Sequence, residues 1–321
     1  MNKIEFTEFV NTILDDVNIY AKKSDLNIKA TLKTTTKNNE VQLTGIEIDD
    51  GSDIRPVIYL EKFYEEYCEF NKDFEEIVEE LFRIYDTNKL KIDTKDLLSS
   101  WKNIKDDIYP ILVNLEMNDL DERKIAYTCL AASCDPEKGE FECEECKTNY
   151  RRVFAVIYKY VIPSVTDGQA AITITENILK KLDVSIETLH EKAIDNLRAR
   201  SSYVMAPIED IISSMLGKET PKNEVEKINM TVIHDPTRPY GAVYIALQEV
   251  LQKIKDMYTN GAILIPSSVH EWIAMPDPHD EKDYENIKEI IKGVNDTMVD
   301  KQEILSYDLF KISADGTLMV I

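Results

Sequence analysis

Phe6, Phe9, Val10, Ile13, Leu14 and Val17 recur at three- and four-residue spacing. The chain is therefore expected to open with an amphipathic helix that ends at the polar break Lys22-Lys23-Ser24-Asp25. The period then changes to two. Ile28, Ala30 and Leu32 alternate with polar residues, as do Val41 with Leu43 and Ile46 with Ile48. Between them, Thr34 to Asn39 supplies asparagines that tolerate the positive φ of a tight hairpin. After Arg55-Pro56, the stretch Val57 to Tyr67 places Leu60, Phe63, Tyr64 and Tyr67 on one face and predicts a second helix. Asp73 starts a third, striped by Phe74, Ile77, Val78, Leu81, Phe82 and Tyr85, and an aromatic stripe at this spacing is core. Trp101 to Leu115 is expected to hold a helix and a strand.

From Asp121 to Tyr150 the pattern loosens. Ile125 to Ala132 reads as a buried apolar helix, and the charged turn Asp135 to Glu142, with two breakers, marks an insertion. Order returns with Val153 to Ile162, a β-branched and aromatic run that predicts a central strand. Ala171 to Thr175 is a short strand or a helix entry, and Ser185 caps a helix carrying Ile186, Leu189, Ala193 and Leu197. Helices are expected over Ile208 to Leu216, Gly241 to Met257 and Tyr284 to Val299. Strands are expected over Met230 to Ile233 and Ile263 to Ile265, and a closing hairpin turns at Asp315-Gly316. The class is α+β. Residues 1–120 form an N-terminal lobe of a helix plus an antiparallel hairpin, 121–150 a cysteine-containing insertion, and 151–321 a C-terminal mixed sheet covered by helices.

Composition excludes whole classes of partner. The chain has 321 residues, 43% hydrophobic and 31% charged, the balance of a folded protein. Its 60 acidic residues outnumber 38 basic ones, for a formal charge of -22. Such a field repels nucleic-acid phosphates and anionic membranes, so the expected partner is a protein with a basic or neutral surface. The N-terminus lacks a basic-then-apolar leader, no apolar run reaches membrane length, and five cysteines are an odd number. A cytoplasmic location is the expectation.

Three segments carry candidate chemistry. Cys143-Glu-Glu-Cys146 has the gap that lets two thiolates meet one zinc, and Cys129 and Cys134 complete a four-thiolate set at the loose end of knuckle spacing. The simpler reading is reduced cysteines, with Cys129 a small hydrophobe in an apolar run. No other cofactor is expected. The second segment, Gly261 to Trp272, runs apolar into Pro266 and then shows Ser267, Ser268, His270 and Glu271. Either serine with His270 as base makes a nucleophile pair, since Ser268 and His270 share a side of an extended chain. The structural alternative is that Pro266 ends a strand, the serines satisfy a turn and His270 is hydrogen-bonded in a packed corner. No Gly-x-Ser-x-Gly is present, and Ala274 stands where a helical zinc-protease motif needs its second histidine. The third segment, His234 to Gly241, joins a strand to a helix, and its Arg238 is a candidate clamp for carboxylate or phosphate, with His234 beside it.

Thr36-Lys-Asn-Asn39 with Gly45, then Ile58-Tyr-Leu-Glu61 with Tyr64 and Tyr67, resembles the N-terminal half of an uncharacterised bacterial family of anaerobic gut Firmicutes, known by a domain-of-unknown-function label. The Leu189 to Leu197 helix, Gly241-Ala242 and Pro266-Ser-Ser-Val-His-Glu271 fit the same family, the last being the most specific part. Leu182 departs from a family tryptophan, His234-Asp235 from a Thr-Asn-like pair, and the Cys129 to Cys146 stretch from the family pattern altogether. The resemblance implies an architecture and a candidate surface, and no reaction. The leading reading is a non-enzymatic interaction protein. The alternatives are a small hydrolase using Ser267 or Ser268 with His270, and an acidic DNA mimic that inhibits a basic protein.

Overall fold

The helical stripes and the alternating runs settle into two units, one built on Met1–Ser100 and one on Trp101–Pro163 with Gly168–Ile321. A computed structural model describes residues 3–51, 55–88, 98–120, 129–134, 141–142, 149–162, 171–200, 202–216, 229–312, 316 and 318–321. The class is α+β, with helices and a largely antiparallel pairing of strands.

In the first unit, α1 (Phe6–Lys23) buries Phe9, Val10, Ile13, Val17 and Ala21, the stripe its spacing predicts. Strands β1 (Lys29–Thr36) and β2 (Gln42–Asp49) pair antiparallel from Lys29 opposite Asp49 to Thr36 opposite Gln42. Their connection turns through Asn39 at φ 56° and Glu40 at φ 57°. The expected helix over Val57 to Tyr67 is instead β3 (Val57–Tyr59) followed by α2 (Glu61–Phe70). Val57-Ile-Tyr is β-prone, and the edge of β2 has room for it. Gly45 makes that room, because a Cβ there would lie 2.6 Å from the Ile58 carbonyl oxygen. Helix α3 (Phe74–Asn88) completes a core in which Phe9 meets Tyr64, Tyr67 and Phe74.

The second unit opens with the single turn α4 (Trp101–Ile104) and strand β4 (Ile108–Asn114). Strand β4 belongs to this unit's sheet, and the unit begins at Trp101. Next come β5 (Cys129–Cys134), β6 (Phe141–Glu142), the long β7 (Asn149–Val161) and β8 (Ala171–Thr173). Helices α5 (Glu176–Leu182) and α6 (Ile186–Arg200) lead to β9 (Val204–Pro207), α7 (Ile208–Leu216) and β10 (Thr231–His234). A 3-10 turn (Gly241–Ala246) precedes α8 (Gln248–Met257), β11 (Ala262–Ser268) and β12 (Glu271–Pro276). The chain ends with α9 (Glu281–Thr297), β13 (Phe310–Ile312) and β14 (Leu318–Val320).

These strands form one sheet in the order β4-β7-β5-β14-β13-β11-β12-β10-β9, with β6 and β8 also on β7. The β14–β5 pair is parallel and the rest antiparallel, so the sheet is mixed as expected. Five strand spacings separate β7 from β12, about 24 Å in a flat sheet. Yet the rings of Phe154 on β7 and Trp272 on β12 lie 5.8 Å apart, and both touch Phe310 on β13. The sheet therefore curls strongly around an aromatic centre. That curl brings β4, near one end of the order, to the residues that follow β10, near the other.

Three expectations are corrected in this unit. Cys129 lies on strand β5 and not in a helix, since the 129–134 run pairs with β7 from Cys129 opposite Ala155 to Cys134 opposite Asn149. The helix expected over Gly241 to Met257 is broken at Leu247, whose φ of -90° and ψ of 118° are extended. Pro266 does not end its strand. β11 runs on to Ser268 through an irregularity between Ile265 and Ser268, a position where a proline's missing N–H is tolerated.

Helix α9 starts at Asp280, whose carboxylate accepts from the amides of Lys282 at 2.9 Å and Asp283 at 3.3 Å. Asp280→Ala is expected to lower stability by about 1 kcal/mol. Urea denaturation should show an earlier midpoint with an unchanged slope.

Candidate functional site

The end of β10 and the β11–β12 hairpin meet at one place. His234, the last residue of β10, stands opposite Glu271, the first of β12. The loop Asp235 to Tyr240 then folds over the hairpin turn, and the Tyr240 amide donates to His270 Nδ1 at 2.9 Å. The Tyr240 ring packs on the imidazole with centroids 5.5 Å apart, and Lys159 Nζ sits 4.8 Å from that ring's centre. Ala242 N donates to the Val269 carbonyl at 3.3 Å, and Val269 N to the Glu303 carbonyl at 2.8 Å. Beneath them the wholly buried Trp272 donates its indole N–H to the Ala242 carbonyl at 3.0 Å.

Gly241 is what allows the two backbones to touch. A Cβ at this position would lie 2.6 Å from the His270 carbonyl oxygen and 2.7 Å from the Asp235 amide nitrogen. The neighbouring Tyr240 takes φ 69°, a left-handed conformation that costs a bulky residue about 1–3 kcal/mol. Its amide bond to the imidazole and its ring contacts hold it there.

Asp235 is the hub of the loop and is 7% exposed. One oxygen accepts from the Thr237 amide at 2.8 Å and the Thr237 hydroxyl at 2.7 Å. The other accepts from the Ser202 hydroxyl at 2.6 Å and the Tyr244 hydroxyl at 2.9 Å. Burial pushes this carboxyl's pKa up, but the bonds from Ser202, Thr237 and Tyr244 outweigh it and hold the pKa below the usual value. The carboxylate is therefore a fixed negative charge inside the protein, satisfied by protein donors in place of water. Tyr109 of β4 stands next to it, and burial first, then Tyr244 and Asp235, push its hydroxyl pKa up while Arg238 pulls it down. The Arg238 guanidinium carbon lies 5.4 Å from the centre of the Tyr109 ring.

The residues expected from sequence are thus brought together, in a different arrangement from a nucleophile and its base. Ser267 Oγ donates to Glu271 Oε1 at 3.1 Å, and Ser268 Oγ accepts from the His270 amide at 3.1 Å. His270 Nδ1 is occupied by the Tyr240 amide, while Nε2 faces Glu303 Oε1 at 3.4 Å. A ring that accepts at Nδ1 carries its neutral-state proton on Nε2. His234 and Arg238 belong to the same site through the strand register and the loop. Among the described residues, no group of three or more His, Cys, Asp and Glu side chains converges as a metal site. Cys143 and Cys146 lie outside the described residues, and Cys129 and Cys134 open and close β5.

Sequence reasoning passed over Tyr109, Lys159, Ser202, Tyr244 and Glu303, which reach the site from β4, β7, the approach to β9, the 3-10 turn and the segment after α9. Only Asp235 had a local signal, since Asp-Pro-Thr favours a turn closed by the aspartate side chain.

The chain matches no curated protein and no solved structure at a significant level. One family model does match it, over residues 6–127 and 148–312, and its description is a family of unknown function. All four cysteines of the expected zinc set fall between those two segments, whereas the His234–Gly241 loop and the Ser267–Glu271 corner fall inside the second. With most of its length matched, the chain belongs to the family of unknown function DUF5688.

Proposed function

We propose that this chain is a non-catalytic binding protein whose contact surface is the His234–Gly241 loop seated on the Ser267–Glu271 corner. The observation that carries the reading is the occupation of His270 Nδ1 by a backbone amide, with both serine hydroxyls bonded elsewhere. A hydrolase needs that imidazole turned toward its nucleophile. The partner is a protein with basic or neutral groups, to which the charge of -22 steers the encounter. Pro236, Thr237 and Pro239 are exposed on the loop, and the Glu303 side chain is 43% exposed at its edge.

An activated-serine probe tests the catalytic half. No labelling is expected above that of a Ser267→Ala/Ser268→Ala double variant, and labelling abolished by His270→Ala would instead establish the hydrolase. The binding half predicts a protein retained by the immobilised chain, released as salt rises, and retained less by Glu303→Lys. Retention that ignores both salt and Glu303→Lys would exclude this surface.

A further inference from the structure

The inner side of the same loop holds two polar atoms that the fold leaves unmatched. The Tyr109 hydroxyl and Arg238 Nη1 are both buried, and neither meets hydrogen-bond geometry with any partner. Tyr109 is 3% exposed, and its ring lies against the Arg238 guanidinium. Native interiors satisfy nearly every such group, so two orphans side by side call for a shared cause. Both are donors here: a guanidinium has no acceptor, and a tyrosine hydroxyl beside a carboxylate keeps its proton. The neighbouring acceptors are engaged: Asp235 already takes four hydrogen bonds from Thr237, Ser202 and Tyr244, and the Tyr244 hydroxyl beside Tyr109 is turned to Asp235.

We propose that Arg238 and Tyr109 form a subsite for a carboxylate, one oxygen accepting from the guanidinium and the other from the phenol. A carboxylate suits the local charge better than a phosphate. Arg238 supplies one positive charge, and the ionised Asp235 next to it opposes a dianion. The orphan atoms are covered in this conformation, and Arg238 lies between the exposed Thr237 and Pro239, so the ligand's entry requires a local opening of this loop around the guanidinium. The carboxylate belongs to a small organic acid or to the C-terminus of a bound chain. This subsite goes beyond the protein-binding surface and stands if that surface fails.

The test is a titration of the full chain, carrying carbon-13-labelled tyrosine, with sodium acetate and with inorganic phosphate at constant ionic strength. The Tyr109 resonance is assigned through Tyr109→Phe. A saturable acetate-dependent shift is expected, weakened at least about tenfold in Arg238→Gln and in Arg238→Lys. Unliganded Tyr109→Phe, freed of a buried unpaired hydroxyl, is expected to melt at the same temperature or higher. A capped dipeptide with a free C-terminus, binding more tightly than acetate and than its own amide, assigns the site to a chain end. Binding of acetate without that preference assigns it to a small acid. The proposal is overturned by no saturable acetate response, by equal affinity in Arg238→Gln, by phosphate binding more tightly than acetate, or by a lowered melting temperature of Tyr109→Phe.

Discussion

Asp235→Ala is expected to lower the unfolding free energy by about 3–4 kcal/mol, among the largest effects a single side chain in this unit can give. The substitution removes the acceptor for four hydrogen bonds, those from the Thr237 amide and hydroxyl, the Ser202 hydroxyl and the Tyr244 hydroxyl. Each bond to a charged acceptor is worth more than a neutral one, and the donors left behind cannot all reach water. Asp235→Asn is expected to cost less, because one amide oxygen still accepts. The sign of the pH dependence follows from the lowered pKa of this carboxyl. A group whose folded pKa lies below its unfolded one contributes stability that is fully present above the unfolded value, about 4. That contribution is lost as pH falls through the lower folded value. The gap between wild type and Asp235→Asn, measured by denaturation across pH, should therefore be constant from about pH 5 to 7 and close below about pH 4. A gap that widened on acidification would contradict an ionised, hydrogen-bonded Asp235.

Gly241→Ala is expected to cost about 3 kcal/mol. Its methyl group would meet the His270 carbonyl oxygen at 2.6 Å and the Asp235 amide at 2.7 Å. Both are backbone atoms of the two segments that Gly241 joins, so neither can swing aside as a side chain would. The loop and the hairpin must separate, which also removes the amide of Tyr240 from His270. Gly293→Ala is the matched control. It lies within α9, and a Cβ there meets nothing within 4 Å. This second substitution is expected to raise stability by about 0.5–1 kcal/mol through helix propensity. Equal effects of the two in urea denaturation would show that the contact between loop and hairpin is not close.

Local periodicity made much of this fold legible. The α1 stripe, the β1–β2 hairpin, the Val153 to Ile162 strand, the Ile208 to Leu216 helix and the terminal hairpin each rest on residues near in sequence. Where reading failed, a distant partner decided. Val57-Ile-Tyr59 fits either period, and its pairing with β2 over Gly45 makes it a strand. Cys129 to Cys134 is apolar enough for a helix, and β7 claims it as a strand. The site shows the same division. Ser267 to Glu271 and His234 to Gly241 stood out as separate segments, each rich in polar side chains after an apolar strand. That they are one place depends on the β10–β12 register, which neither segment encodes alone. Tyr109 and Lys159 were invisible because only the curl of the sheet brings β4 and β7 to that loop.

The central claim is that His270 joins the two corners and is not poised over a serine. Nitrogen-15 NMR of the imidazole, with detection of coupling across the hydrogen bond to the Tyr240 amide, tests it most directly. The account predicts a neutral ring protonated at Nε2, with a correlation between Nδ1 and the Tyr240 amide nitrogen that disappears in Gly241→Ala. A ring protonated at Nδ1, or one with no coupling to Tyr240, would contradict it and return His270 to the role of a free base.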